Sequence, residues 1–199
     1  MSDLTERFDN ALGLASSLHR NQRRKGTDIP YVSHLLAVAA IALEMGADED
    51  QAIAALLHDA VEDQGGPDTL KEIERRFGKR VAAIVDGCSD ADTFLKPPWK
   101  ARKLSYLDGM VEKHHDTLVV SLADKIHNAR AILHDLEIHG EAVWARFRGG
   151  RDGSLWYYSE LVEKFETLLP GHFSRQFAEI VKQLHEVRVL APVPEEPPQ

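Results

Sequence analysis

The sequence has few of the features that would place a protein in a membrane or outside the cell. Its 199 residues include one cysteine, Cys88, which rules out an internal disulfide and a cysteine-based zinc cage and is typical of a reducing compartment. No apolar run approaches the roughly 20 residues of a membrane span, and the N-terminus lacks the basic and apolar regions of a signal peptide. We therefore expect a cytoplasmic protein with no membrane partner.

The chain also lacks an excess of basic residues. Its net charge of -8 disfavours nucleic acid as a partner, because affinity for nucleic acid comes mostly from basic surface. Two local basic groups nevertheless occur, the run Arg23-Arg24-Lys25 and the group of Lys96, Lys100, Arg102 and Lys103. Each is either a solvated surface patch or a site for a small polyanion inside an acidic protein.

Apolar residues recur at helical spacing along most of the chain, and no convincing β-hairpin signal is present. We predict an all-α fold of about eight to ten helices, in a single domain over residues 1–190 with a disordered tail at 191–199. Loops are expected at residues 86–98, over the functional site, and at 148–153. The predicted helices cover residues 4–21, 31–45, 48–63, 69–77, a segment from 81, 100–113, 118–136, a short helix around Trp144, 155–169 and 173–187.

The most informative stretch is residues 54–63, an apolar helical run that ends in His58, Asp59, Glu62 and Asp63. Burying carboxylates among leucine and valine costs several kcal/mol unless something positive compensates, and a metal ion is the simplest compensation. A helix whose polar end reaches solvent is the alternative. The i, i+4 spacing of His58 and Glu62 places both on one helix face, which favours a site.

Other helices must complete any metal site here, because the adjacent His58 and Asp59 point about 100° apart on a helix. His34 and Asp124 are the best candidates, since each interrupts an apolar helix. Two imidazoles and two carboxylates suit manganese, iron or zinc. Taken alone, His34 is also compatible with a satisfied core histidine, and Asp124 with an ion pair to Lys125.

Four ordered segments together resemble a known family. The segments are Arg24-Lys25-Gly26 before Pro30-Tyr31, Tyr31-x-x-His34, His58-Asp59-x-x-Glu62-Asp63, and Ala123-Asp124-Lys125-x-His127-Asn128. They are similar to the HD-domain metal phosphohydrolases and, more narrowly, to the hydrolase domain of RelA/SpoT-type enzymes and the stand-alone small alarmone hydrolases. The likeness spans roughly residues 5–185 and is far more specific than a single His-Asp pair.

The resemblance implies an HD-type helical bundle and manganese-dependent removal of pyrophosphate from the 3′ position of guanosine tetra- or pentaphosphate, (p)ppGpp. GDP or GTP would be the other product. One Mn²⁺ would be held by His34, His58, Asp59 and Asp124. Glu62 and Asp63 would position and deprotonate the attacking water, a division of labour that general acid–base chemistry supports.

The resemblance also implies contacts with a small-molecule nucleotide substrate. Arg24 and Lys25 would face its base or phosphates, Tyr31 would shape the pocket, and Asn128 would hold the ribose or a phosphate. Charge alone, without a close motif match, makes Lys100, Arg102 and Lys103 candidates for holding the leaving pyrophosphate. Trp156, Tyr157 and Tyr158 are interpreted either as aromatics that close over a nucleobase or as core residues of a helix.

Several alternatives remain open at this stage. A length of 199 residues leaves no room for the synthetase and regulatory domains of the family's long members, so hydrolysis without synthesis is expected. The same metal site would also serve adenosine alarmones, (p)ppApp, or ordinary nucleotides. A non-catalytic nucleotide sensor is a further class, which the presence of both Glu62 and Asp63 disfavours. A homo-oligomer is compatible with the sequence.

Overall fold

Helices account for most of residues 3–89 and 97–187, the part of the chain that a computed structural model describes. Extended pairing among these residues is limited to one isolated bridge between Arg23 and Pro30. The helices are α1 (Glu6–Leu18), α2 (Val32–Glu44), α3 (Glu49–Leu57), α4 (Ala60–Asp63), α5 (Gly66–Phe77), α6 (Lys79–Cys88), α7 (Trp99–Gly109), α8 (His115–His139), α9 (Gly150–Leu168), α10 (His172–Glu186) and two 3₁₀ helices, Met110–Glu112 and Gly140–Arg146. The predicted all-α class is confirmed, whereas the predicted tail at 191–199 lies outside the described residues.

Helix α3 lies in the middle of the bundle. Residues 52–57 are all completely buried, as expected for a helix that is apolar on every side. The helix begins with a capping box in which Asp48 and Gln51 bond each other's backbone, as this pair of residue types predicts. Helices α1, α2, α6 and α8 pack around it, so its C-terminal end lies among other helices.

Helix α8 is the longest helix in the described residues and packs against α2, α3, α6 and α10. Most of its first three turns are buried, including the polar Asp124. Because α2 and α3 pack on the same part of α8, the buried His34 and His58 are brought to Asp124. The crossing of these three helices therefore sets the position of the functional site.

The helix predicted over residues 48–63 is broken in the middle. It ends at Leu57, and the short helix α4 begins at Ala60. Asp59 lies between them with φ -96° and ψ -3°, in the sparsely populated bridge region where active-site residues often occur. The break allows His58 and Asp59 to turn toward one point, which an uninterrupted helix would not allow.

Two predicted loops are shorter than expected. Helix α6 continues to Cys88, so the loop predicted over 86–98 begins later, and residues 90–96 lie outside the described part. Helix α9 begins at Gly150, inside the loop predicted over 148–153. The ring of Trp99 packs closely against Gly149 and Gly153 and supports this glycine-rich helix start, a contact that local sequence does not reveal.

Other helix boundaries also differ from the predicted ones: α1 covers Glu6–Leu18 instead of 4–21, and α7 covers Trp99–Gly109 instead of 100–113. Helix α5 begins at Gly66 instead of residue 69, because Pro67 in its first turn favours a helix start there. Helix α8 extends three residues further at each end than predicted. None of the helices in the described ranges is long and apolar enough to cross a membrane.

Candidate functional site

Four side chains from three directions meet at the C-terminal end of α3. His34 comes from α2, Asp124 from α8, and His58 and Asp59 from the break between α3 and α4. Nε2 of His58 lies 3.0 Å from Oδ2 of Asp59 and 3.7 Å from Oδ1 of Asp124. Nε2 of His34 lies 3.4 Å and 3.3 Å from the same two oxygens. The fold thus brings together all four residues predicted to hold a metal ion.

The spacing and protonation of the cluster fit a divalent cation. Ligands held about 2.1 Å from one octahedral ion lie about 3 Å apart when adjacent, and the ligand atoms of His34, His58 and Asp59 all lie within 4.8 Å of one another. Asp124 lies outside that three-residue group, although its Oδ1 is 3.3 Å and 3.7 Å from the two imidazole nitrogens. The Nδ1–H of His58 donates to the carbonyl of Ala55 at 2.8 Å, so in the neutral ring Nε2 presents a lone pair to the site. That buried Nε2 has no hydrogen-bond partner among the described residues, and a metal ion could bind its lone pair.

The members of the cluster shift one another's pKa. Burial alone would raise the pKa of Asp59, but the imidazoles of His58 and His34 hold it well below its usual range. Burial likewise opposes ionisation of Asp124, whose pKa is held low by Lys125, with Nζ at 2.6 Å, and by the same imidazoles. Burial would lower the pKa of His58, yet the two carboxylates raise it well above the model-peptide value. A proton and a metal ion therefore compete for His58.

The two carboxylates predicted to handle water occupy different positions. Glu62 lines a cavity of about 160 Å³ that also contains the four-residue cluster. Asp63 is not among the residues lining this cavity, and its Oδ2 accepts a hydrogen bond of 2.8 Å from Nε2 of Gln22. Burial, with the nearby charges of Asp59 and Glu62, raises the pKa of Asp63 although the Gln22 bond opposes the rise. A raised carboxylate pKa suits proton acceptance near neutral pH.

The segment between α1 and α2, residues 19–31, is bonded to the acidic side chains of the site. Its contacts are Tyr31 Oη donating to Asp59 Oδ2 at 2.7 Å, Gln22 donating to Asp63, and Arg24 Nη2 donating to Asn128 Oδ1 at 2.8 Å. Asn128 in turn donates from Nδ2 to Asp124. Burial and the charge of Asp59 raise the pKa of Tyr31, so its hydroxyl keeps its hydrogen and remains the donor.

A larger cavity of about 570 Å³ adjoins the metal-binding cluster. Five residues line both cavities and join them: Arg24, Tyr31, Glu62, Lys125 and Asn128. Basic side chains dominate the charged part of the larger lining, namely Arg24, Lys25, Arg102, Lys103, Lys125, Arg146 and Arg148. In a protein with a net charge of -8, this concentration of positive charge matches a polyanionic ligand.

Most of the predicted substrate contacts line this larger cavity, but Lys100 does not. The Lys100 ammonium lies 4.9 Å from the centre of the Trp156 ring, at the exposed start of α7. Tyr157 and Tyr158 line the cavity, whereas Trp156 does not and donates from its indole to Glu160. The two tyrosines are also largely buried, as core residues of a helix would be, and contact of this segment with a nucleobase stays a prediction.

The structure adds residues that sequence reasoning did not assign to the site. Lys125 and His127 lie within a recognised motif, so their positions were available from the sequence although their roles were not. No spacing or periodicity pointed to Gln22, Trp99 or Arg146, because each reaches the site through contacts between distant parts of the chain.

The family is decided by a comparison of the sequence with family models. The model of the HD domain matches residues 11–155, which contain every residue of the metal cluster and both water-handling carboxylates. This chain belongs to the HD-domain family. The predicted all-helical HD fold and the predicted resemblance are thereby confirmed.

The names of similar proteins indicate which branch of the HD-domain family this chain resembles. The chain is 34% identical over 133 residues to the bifunctional (p)ppGpp synthase/hydrolase SpoT of Escherichia coli, covering 65% of this chain and 18% of that protein. It is 36% identical over 123 residues to a probable GTP pyrophosphokinase of Mycobacterium leprae, covering 61% and 15%. The chain therefore spans less than a fifth of the length of these curated relatives.

A solved structure resembles this HD-domain protein over nearly its whole length. It belongs to a metazoan ortholog of SpoT described as hydrolysing ppGpp, with a TM-score of 0.76 and 26% sequence identity. The match covers 92% of this chain and 98% of that one. The similarity thus extends beyond the metal cluster to the helices that surround the larger cavity.

Metal binding to this HD-domain protein should release protons. Because the carboxylates raise the pKa of His58 well above its ordinary value, an ion that binds through its Nε2 should displace the proton held there. Titration calorimetry of Mn²⁺ into metal-stripped protein, in two buffers of different ionisation enthalpy, measures the number released. Equal heats in both buffers would contradict this electrostatic account.

Proposed function

We propose that this HD-domain protein hydrolyses the 3′-pyrophosphate of (p)ppGpp to give GDP or GTP and pyrophosphate, using one Mn²⁺. The observation that carries the proposal is the junction of the two cavities, where a metal-ligand cluster opens into a basic cavity of about 570 Å³. The choice of (p)ppGpp as substrate is supported by the names of similar proteins, one of which is called guanosine-3′,5′-bis(diphosphate) 3′-pyrophosphohydrolase. The proposal treats residues 1–190 as one hydrolase domain acting on a free cytoplasmic nucleotide.

The cluster of His34, His58, Asp59 and Asp124 would hold the ion. A bound divalent ion supplies a Lewis acid that lowers the pKa of water and neutralises phosphate charge. Manganese is proposed because the mixed nitrogen and oxygen donors suit it, and because four protein ligands leave positions open for water and a phosphate oxygen.

The carboxylates beside the ion would move the proton. Glu62 lines both cavities and would hold water at their junction. Asp63, with its raised pKa, would accept the proton directly or through Glu62. The water oxygen forms a bond to the first phosphorus of the 3′-pyrophosphate while the bond from that phosphorus to the ribose 3′-oxygen breaks. The 3′-oxygen then takes up a proton, and pyrophosphate is released.

Basic side chains on two sides of the cavity would hold the nucleotide. Arg24 and Lys25 lie on the segment bonded to the cluster, and Arg102 and Lys103 lie on α7. This placement supports contacts with the two diphosphate groups of ppGpp, one attached at the 3′ position of the ribose and the other at the 5′ position. The exposed Lys100 remains a predicted phosphate contact that its position outside the cavity does not support.

The proposed chemistry predicts the effect of neutralising the carboxylates. Glu62→Gln and Asp63→Asn should each lower kcat for ppGpp by at least about 100-fold, because the proton acceptor is lost while the four metal ligands remain. Chromatography of the products formed with added Mn²⁺ measures the rate, and metal analysis of each variant checks the bound ion. Full activity in both variants would contradict their role.

The same assay tests the substrate. Wild-type protein should convert ppGpp to GDP and pyrophosphate in equal amounts. Cleavage of ppApp with ppGpp left intact would move the assignment to the adenosine alarmone. Faster turnover of nucleoside monophosphates or NADPH would indicate a general phosphohydrolase, and tight nucleotide binding without any turnover would indicate a sensor.

The segment that carries Arg24 and Lys25 owes its position partly to Arg146, at the end of the 3₁₀ helix Gly140–Arg146. Arg146 bonds Asp135 of α8 at 2.7 Å, and its aliphatic carbons pass over Gly26. A Cβ at Gly26 would lie 2.8 Å from Cδ of Arg146. Gly26 also has φ +73°, which disfavours other residues. Arg146 therefore packs the segment carrying Arg24 and Lys25 against α8.

Gly26→Ala should therefore weaken substrate binding. The added methyl displaces Arg146 and the adjacent basic side chains, so KM for ppGpp should rise roughly tenfold with little change in kcat. The matched control is Gly46→Ala, which has a similar φ of +88° but no atom within 4 Å of the new Cβ. The control should lose comparable stability and keep its KM. An equal rise of KM in both variants would contradict the role of the Arg146 contact.

A further inference from the structure

His127 contacts a predicted metal ligand on the side away from the metal position. Its Nδ1 lies 2.8 Å from Nδ1 of His34, and the two ring centres are 4.8 Å apart. His127 is on α8, one turn after Asp124, whereas His34 is on α2, so the contact joins two helices that both supply ligands. Two ring nitrogens at this distance share one hydrogen, so one ring donates and the other accepts.

The direction of this hydrogen bond follows from the geometry of His34. Its Nε2 faces Asp59 and Asp124, 3.4 Å and 3.3 Å away, so this is the nitrogen that would bind an ion. A neutral imidazole that binds metal through Nε2 carries its hydrogen on Nδ1. His34 therefore donates from Nδ1, and His127 accepts.

His58 and His34 each form a hydrogen bond through Nδ1, the ring nitrogen away from the metal position, but with different kinds of acceptor. His58 donates from Nδ1 to the carbonyl three residues earlier, that of Ala55. The equivalent carbonyl for His34 is that of Tyr31, which already accepts the backbone N–H of His34 at 2.9 Å. His34 lies buried in the first turn of α2, and its Nδ1 contacts His127 of another helix, α8, instead of this carbonyl.

We propose that His127 is a positioning residue that sets the affinity of the site for a divalent cation. By accepting the Nδ1–H of His34, it fixes both the tautomer and the orientation of that ring, with Nε2 directed at the metal position. The proposal rests on the metal site of the proposed function but not on its substrate. His127 acts through His34 and needs no contact with the ion or the nucleotide.

Metal affinity tests this role without any enzyme assay. Titration calorimetry of Mn²⁺ into metal-stripped His127→Phe should show affinity about 10- to 100-fold below wild type, the usual cost of removing such an outer partner. His127→Gln, whose amide oxygen can accept a hydrogen bond, should recover most of the loss. The matched control is His139→Phe, an exposed position at the end of the same helix, which should bind like wild type.

The outcome that overturns the proposal is wild-type affinity in a folded His127→Phe, with folding checked by circular dichroism. Equal losses in the Phe and Gln variants would also overturn it, because a packing role alone would produce them. Neither result depends on catalysis. A protein that shows the predicted metal affinities but leaves ppGpp intact would refute the proposed function and retain the role of His127.

A second measurement needs no variant and applies even if His127→Phe fails to fold. Long-range ¹H–¹⁵N NMR of wild-type protein loaded with diamagnetic Zn²⁺ identifies the protonated nitrogen of each histidine. The expected spectrum shows His34 with hydrogen on Nδ1 and His127 with hydrogen on Nε2. Coordination through Nδ1 of His34, or a hydrogen on Nδ1 of His127, would overturn the assignment.

Discussion

The carboxylates of Asp59 and Asp124 impose the constraint on which the rest of the structure depends. They lie beside two buried imidazoles where α2, α3 and α8 meet; Asp124 is buried, and the side chain of Asp59 is 24% exposed. Two negative charges in such surroundings require positive charge close by. Lys125 beside Asp124 and a proton on His58 provide it in the absence of metal, and a divalent ion would provide more. The site is therefore a place where folding and cation binding are linked.

The same constraint explains the segment of residues 19–31. Tyr31 and Asn128 donate to the two carboxylates, and Asn128 also accepts from Arg24. The side chains proposed to bind the nucleotide therefore belong to the hydrogen-bond network that orders the metal ligands. Tyr31 therefore contacts a predicted ligand directly, whereas Arg24 reaches Asp124 only through Asn128. Arg146 adds a separate contact that packs the segment against α8.

The convergence of His34, His58, Asp59 and Asp124 was predictable because they are polar residues in apolar helical stretches, where such residues need a reason to be buried. Metal binding by these residues stays a prediction. It also predicted the helical class and the start of α3. It failed at the break after Leu57, because the bridge-region backbone of Asp59 serves the site and leaves no mark on helical periodicity. Contacts such as those of Gln22 with Asp63 and His34 with His127 were unpredictable for a simpler reason. They join residues 41 and 93 positions apart, beyond the reach of any local pattern.

The central claim is that one divalent ion binds where these two imidazoles and two carboxylates converge. Anomalous diffraction from crystals soaked in Mn²⁺, with data collected on both sides of the manganese absorption edge, tests it most directly. We predict one strong anomalous peak about 2.0 to 2.3 Å from Nε2 of His34, Nε2 of His58 and an oxygen of both Asp59 and Asp124. A peak elsewhere in the basic cavity, or a peak that lacks either histidine as a ligand, would contradict the account.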